Sequence, residues 1–188
     1  MVTASTRDLI LDSAQALAQA RGFNAFSYAD IAAELGVKKA SIHYHFPSKQ
    51  DLEVELLARY QAGFAAEMRV IEGRTDNSHE RLQRYSKLYL DTLANDRVCL
   101  AGMMASDAGA LPAQLTPALT DFFEEHVDWL AMVMAAGKSA GELNFSGTAK
   151  AQASAFLAAL QGGLMLANAM GDESIFKRLR TTLVDQLK

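Results

Sequence analysis

Cysteine occurs once and proline three times in 188 residues. A single cysteine leaves no internal disulfide to form and suits a reducing cytoplasm, where the chain is expected to work. So few prolines leave long helices uninterrupted. No HExxH, no GxSxG and no Cys/His cluster of metal-ligand spacing occurs. The residues for zinc hydrolysis or serine catalysis are therefore missing. No catalytic residue, metal ligand or cofactor is expected, and the chain reads as not an enzyme. Gly137-Lys138-Ser139 matches the end of a phosphate loop, but Met132 stands where that loop needs its first glycine. No unbroken apolar run reaches the roughly 18 residues of a membrane span. The opening MVTASTRD has no apolar signal core, so neither a membrane nor secretion is expected.

Half of the residues are hydrophobic. With Ala and Leu recurring throughout, that favours an all-helical protein with a substantial core. The net charge of −4 would ordinarily count against nucleic acid, but its distribution is uneven. Residues 1–50 carry five Lys/Arg against four Asp/Glu; residues 51–188 carry thirteen against eighteen. A near-neutral head with Lys38, Lys39 and Lys49 concentrated in it sits on an acidic remainder, which fits a selective DNA reader.

Residues 27–52, SYADIAAELGVKKASIHYHFPSKQDL, carry the most chemistry. Ser27 and Asp30 have capping-box spacing, and Ile31, Ala32 and Leu35 form one helical stripe. Gly36 ends that helix where a left-handed residue is needed. A second short helix is expected from about Lys38 to Tyr44. His45-Phe46-Pro47 breaks it, and Ser48 with Asp51 opens the next. Helix, tight turn and helix can lay the second helix in a DNA major groove. Lys38 and Lys39 sit at the positive end of that helix dipole, at about 0.3–1 kcal/mol each when exposed. Phosphate would offset the cost. Ser41, His43, Tyr44 and His45 follow, all able to bond phosphates or base edges. A solvated polar face on a small bundle is the bland alternative.

RDLILDSAQALAQARGF (7–23) and GVKKASIHYHFPSKQDL (36–52) resemble the first helix and the turn, recognition helix and fourth-helix start of TetR-family repressors. The resemblance is close over about the first fifty residues and elsewhere extends to helix order and length. Two departures stand out: Lys38 replaces a small residue, and His43 replaces the commonest Tyr. The resemblance implies an all-α fold of about nine helices. A three-helix helix-turn-helix head, residues 1–50, would be joined by helix four to an effector-binding and dimerisation body, residues 51–188. It implies contacts to operator DNA from Ser27, Tyr28, Lys38, Lys39, Ser41, His43, Tyr44, His45 and Lys49. Tyr44 and Lys49 would clamp the backbone, and Lys39, Ser41 and His43 would read bases. The partners implied are double-stranded DNA, a small apolar or aromatic effector, and a second copy of the chain.

In the body, helix four is expected from Ser48 to about Glu72, then a loop over residues 73–78 and a helix from about His79 to Asn95. A short helix over residues 100–109 and a long one from Thr116-Pro117 to about Ser139 come next. Ser146 and Asp172 are candidate caps for the last two helices. Tyr89, Cys99, Met103, Phe123, His126, Trp129 and Met134 are candidates for an effector cavity, since aromatics and flexible Met suit apolar ligands. An ordinary filled core is the alternative. Cys99 also invites a thiol switch for electrophiles or oxidants, against the plainer role of a small buried hydrophobe. Phe156, Leu157, Leu160 and Leu164 line one helix, and Ile175, Phe176, Leu179 and Leu183 the next. Two such helices per subunit would make a four-helix interface; an intramolecular core is the alternative. A helical protein-interaction module without DNA binding is the remaining rival.

Overall fold

The computed structural model describes residues 5–106 and 111–188. Among them are nine α-helices and no strand. They are α1 Thr6–Arg21, α2 Tyr28–Leu35, α3 Lys39–His45, α4 Lys49–Arg74, α5 Ser78–Leu93, α6 Leu100–Ser106, α7 Leu115–Ser139, α8 Ala149–Met170 and α9 Glu173–Asp185. The all-helical expectation holds, with bounds shifted by a residue or two. Residues 107–109, expected to end α6, and the opening residues 1–4 lie outside the described residues.

Local chemistry accounts for most helix ends. Ser27 and Asp30 form a reciprocal capping box, and Ser48 and Asp51 another. Gly36 adopts φ +65°, and the Val37 N–H reaches back to the Ala32 carbonyl at 3.1 Å, closing α2 in a left-handed turn. Asp172 caps α9 as expected. Thr148 instead of Ser146 caps α8, because its hydroxyl lies 3.2 Å from the Ala151 N–H. Helix α7 begins one residue before Thr116, which puts Pro117 third in its first turn. A missing N–H costs little there, since the first four are unpaired in any helix.

The chain divides into two compact units, Met1–Ala62 with Leu100–Leu119, and Gly63–Cys99 with Thr120–Lys188. The first reaches past residue 50 and takes in α6, which packs on α1. Its core holds Ile10, Leu11, Ala14, Phe23, Phe26, Ile31, Ile42, Phe46, Leu52 and Leu56, all buried. Each of these side chains other than that of Ala14 contributes about 1.5–3 kcal/mol on leaving water. Leu35 and Val37 remain partly exposed.

In the second unit α8 packs on α9, and α9 on α5. A Cβ on Gly163 would fall 1.9 Å from Leu179 Cδ2, so glycine is what lets α9 come this close. Gly137 lies inside α7, and its carbonyl accepts the N–H groups of Glu142 and Leu143. The glycine of the Gly-Lys-Ser stretch thus serves a helix end. Helix α8 is long and apolar enough to cross a membrane by length and mean hydropathy, although no unbroken run of that length was expected. Of that window 39% is buried within the fold.

Candidate nucleic-acid interface

Helix α3 is seven residues long and hangs on one buried side chain, Ile42. Lys38, Lys39, Ala40, His43 and Tyr44 are exposed; Ser41 and His45 are half-buried. Lys38 occupies the N-cap and makes no side-chain capping bond. The surface of α3 therefore carries two ammonium groups and several polar side chains, distributed around the helix. Tyr44 is 84% exposed, its ring edge-on to His45 at 5.2 Å. A large ring so exposed contributes little to its own fold.

The His43 ring is held in place. Nδ1 lies 3.4 Å from the Pro47 carbonyl, and the ring meets Tyr28 edge-on at 4.8 Å. Tyr28 is itself fixed: its hydroxyl donates to the carbonyls of Ser48 at 2.6 Å and Phe46 at 3.0 Å. Burial, then Asp51 and Glu53, pushes its hydroxyl up to about 12. Tyr28, expected at DNA, is buried in the free chain, where its ring and hydroxyl hold the turn after α3 together. Ser27 is exposed but commits its hydroxyl to Asp30.

Lys49 also departs from expectation. Its ammonium turns onto the carbonyls of Phe23 and Phe26 and lies 4.4 Å from the Phe26 ring centre. Partial burial lowers its pKa below the ordinary lysine value. In this conformation Lys49 ties α4 to the segment before α2. A groove of about 290 Å³ runs between Lys39, His43, Lys49 and residues 26–28.

The body candidates separate. Tyr89, His126 and Met134 are buried in the second unit, with Phe123 and Trp129 half-buried there. Met103 belongs to the first unit, beside Gly22. The His126 imidazole meets the rings of Phe64 and Phe122 with centres 4.9 and 4.2 Å away. Its Nδ1 is 2.5 Å from the Tyr85 hydroxyl, which is 3.2 Å from that of Tyr89. His126 Nε2 is buried with no hydrogen-bond partner. Desolvation lowers its pKa to about 4, so the ring is neutral at pH 7. Trp129 stacks on Tyr85 at 5.4 Å and donates to Glu72 at 2.8 Å.

Phe64, Tyr85 and Phe122 escaped the sequence reading of this cluster. Tyr85, one turn before Tyr89, had the spacing to be included; Phe64, on another helix, had no local signal. Cys99 is buried, with its sulfur accepting from Gln161 at 3.3 Å. That is the plainer of its two expected roles.

The residues expected at a dimer interface divide by burial. Phe156, Leu157, Leu160, Leu164 and Phe176 are buried inside the single chain, while Ile175, Leu179 and Leu183 are half-buried. The opposite face of α8 exposes Ala155, Ala158, Gly162, Met165, Leu166 and Met170. Helix α8 is apolar on two sides, and periodicity could not say which one faced inward.

The model of bacterial regulatory proteins of the tetR family matches residues 10–56, and that of the tetracyclin repressor-like C-terminal domain matches residues 78–183. The HTH-type transcriptional repressor KstR2 of Mycobacterium tuberculosis is 37% identical over 79 residues, 42% of this chain and 40% of that protein's length. A TetR-family regulator from Agrobacterium tumefaciens is 32% identical over 97% of both chains, with a TM-score of 0.93. A TetR regulator from Legionella pneumophila is 32% identical over the whole of both chains, with a TM-score of 0.90. Both halves of the family pattern and its whole fold are present, and the chain belongs to the TetR family of transcriptional regulators.

Proposed function

We propose that the protein is a homodimeric, cytoplasmic repressor that binds palindromic operator DNA and is released by a small apolar or aromatic effector. The labour divides between a DNA-reading head, residues 1–50, and an effector-binding, dimerising body, residues 51–188. The single observation that carries DNA binding is the exposed face of α3, where Lys38 and Lys39 stand at a helix N-terminus with no capping side chain and no ion-pair partner among the described residues. That arrangement costs the free protein stability, and phosphate would compensate. Lys38, Lys39, Ser41, His43, Tyr44 and His45 make the contacts; Tyr28 holds the turn after α3, and Lys49 ties α4 to the segment before α2.

One seven-residue helix reads too few base pairs for a specific site, so two heads reading the halves of a palindrome suit the task. The exposed apolar face of α8 supports a second copy as partner, with Gly162 allowing close approach. For the effector, support comes from the aromatic cluster around His126, whose unpaired Nε2 is a polar handle in apolar surroundings. Repression follows from occupying DNA that RNA polymerase needs. Release requires the effector to bind better to a conformation whose heads no longer match the operator, by a coupling of about 1–3 kcal/mol.

Genomic fragments captured by the purified protein test this reading. Recovered sites with two-fold symmetry and salt-sensitive affinity are expected. No salt-dependent affinity for any duplex would end it, and an effector that left operator affinity unchanged at fixed salt would end the release mechanism.

A further inference from the structure

His43 is exposed, yet its ring is not free to choose its chemistry. A backbone carbonyl can only accept a hydrogen bond, so the 3.4 Å contact of Nδ1 with the Pro47 carbonyl requires the proton on Nδ1. The same ring meets Tyr28 edge-on, and Tyr28 is fixed in turn by two carbonyls. In the neutral ring Nε2 then carries a lone pair and no proton. Lys39 stands one helical turn earlier and borders the same groove. Its ammonium has three donors and no acceptor. The face of α3 thus pairs an obligate donor with an acceptor.

Base edges in the major groove sort by the same polarity. Guanine O6 and N7 and thymine O4 accept, while cytosine N4 and adenine N6 donate. We propose that His43 is a specificity-determining residue whose Nε2, held as an acceptor by the Pro47 carbonyl, selects a cytosine or adenine amino group in each half-site. Lys39 takes the opposite polarity, meeting guanine or phosphate. This rests on the proposal that α3 enters the major groove, and it assigns the chemical sense of one contact there. A tyrosine at position 43 could donate as well as accept; a histidine held this way, while neutral, only accepts.

Selection from randomised duplexes at pH 8, with the full-length protein and three variants, tests the assignment. In the wild type, one position per half-site should favour cytosine or adenine over guanine on the contacted strand by about fivefold, as expected for one good base contact. His43→Ala should flatten that position alone. His43→Glu, an acceptor, should keep the preference, and His43→Arg, a donor, should move it to guanine. Nitrogen-15 spectra of the free protein at pH 8 give an independent readout: the His43 proton should lie on Nδ1, with Nε2 bare. A proton on Nε2, a guanine or thymine preference at the position that His43→Ala alters, or an unaltered selection by His43→Ala would overturn it. Those results leave DNA binding standing; a wild type that selects no site at all overturns the underlying reading as well.

Discussion

The two units treat polarity in opposite ways. The first buries Ser13 and Gln19 in an otherwise largely apolar interior and sets Lys38, Lys39 and His43 outside on a short helix. The second seals a chain of Tyr89, Tyr85 and His126 inside, leaves the His126 Nε2 without a hydrogen bond there, and exposes Met165, Leu166 and Met170 outside. Cations gathered at the wrong end of a helix point to a partner that brings negative charge. An exposed apolar helix face points to a partner that brings another such face. Neither surface is explained by the stability of the isolated chain, and the chemistry each lacks identifies what should cover it.

Reversing charge on α3 should break the comparison most severely. Lys38→Glu with Lys39→Glu should lower operator affinity at least about a hundredfold and reduce the slope of log affinity against log salt by about two. The same change places acidic groups at a helix N-terminus, so the melting temperature should hold or rise. Opposite signs for binding and stability are the signature to seek, by fluorescence anisotropy across a salt series and by calorimetry. A parallel fall in both would mean that these lysines support the fold.

Two positions on α8, two residues apart, sharpen the other half. Leu164 is fully buried and Leu166 is 59% exposed. Leu164→Ala should cost about 2–5 kcal/mol of folding stability through lost burial and the cavity left behind. Leu166→Asp should keep the fold and shift sedimentation from dimer to monomer. If Leu166→Asp remains dimeric, the exposed face of α8 is not the contact.

These two leucines also show what sequence periodicity can and cannot carry. Spacing identified the helices, because caps such as Ser27, Ser48 and Asp172 and stops such as Gly36 act within a few residues. It identified α3 as a polar surface, because the cost of Lys38 and Lys39 at a helix N-terminus is local too. It could not orient α8, where alanine, glycine and methionine make the second face nearly as apolar as the first. Nor could it find that Lys49 folds back onto Phe23 and Phe26, or that Phe64 meets Tyr89 and His126, since those contacts join segments far apart in the chain. The aromatic cluster around His126 was legible as a composition, whereas the way its members pack depends on contacts between helices.

The sealed histidine should appear in the pH dependence of stability. Its pKa falls from 6.5 to about 4 on folding, so the unfolded chain binds more protons between those values. Stability should therefore be complete above pH 6.5, decline as pH drops toward 4, and lose no more from this group below that. The full shift corresponds to up to about 3 kcal/mol. Denaturant titrations of the wild type and His126→Phe at pH 7.5 and 4.5 isolate the contribution. The variant should lose less stability between the two pH values, and equal losses would place the acid-sensitive group elsewhere.

Lys49 gives the smallest effect and the most direct contrast within one unit. Lys38 and Lys39 have no protein partner among the described residues, whereas the Lys49 ammonium is bonded to two carbonyls on a side chain that keeps part of its exposure. Hydrogen bonds from a charged donor are worth more than neutral ones, but solvent screens a group this exposed. Lys49→Met should thus cost about 1 kcal/mol of stability and leave the salt slope of DNA binding unchanged. A slope reduced by about one, with stability intact, would mean that the side chain swings out to a phosphate when DNA arrives. The division between tying and reading lysines would then describe only the free protein.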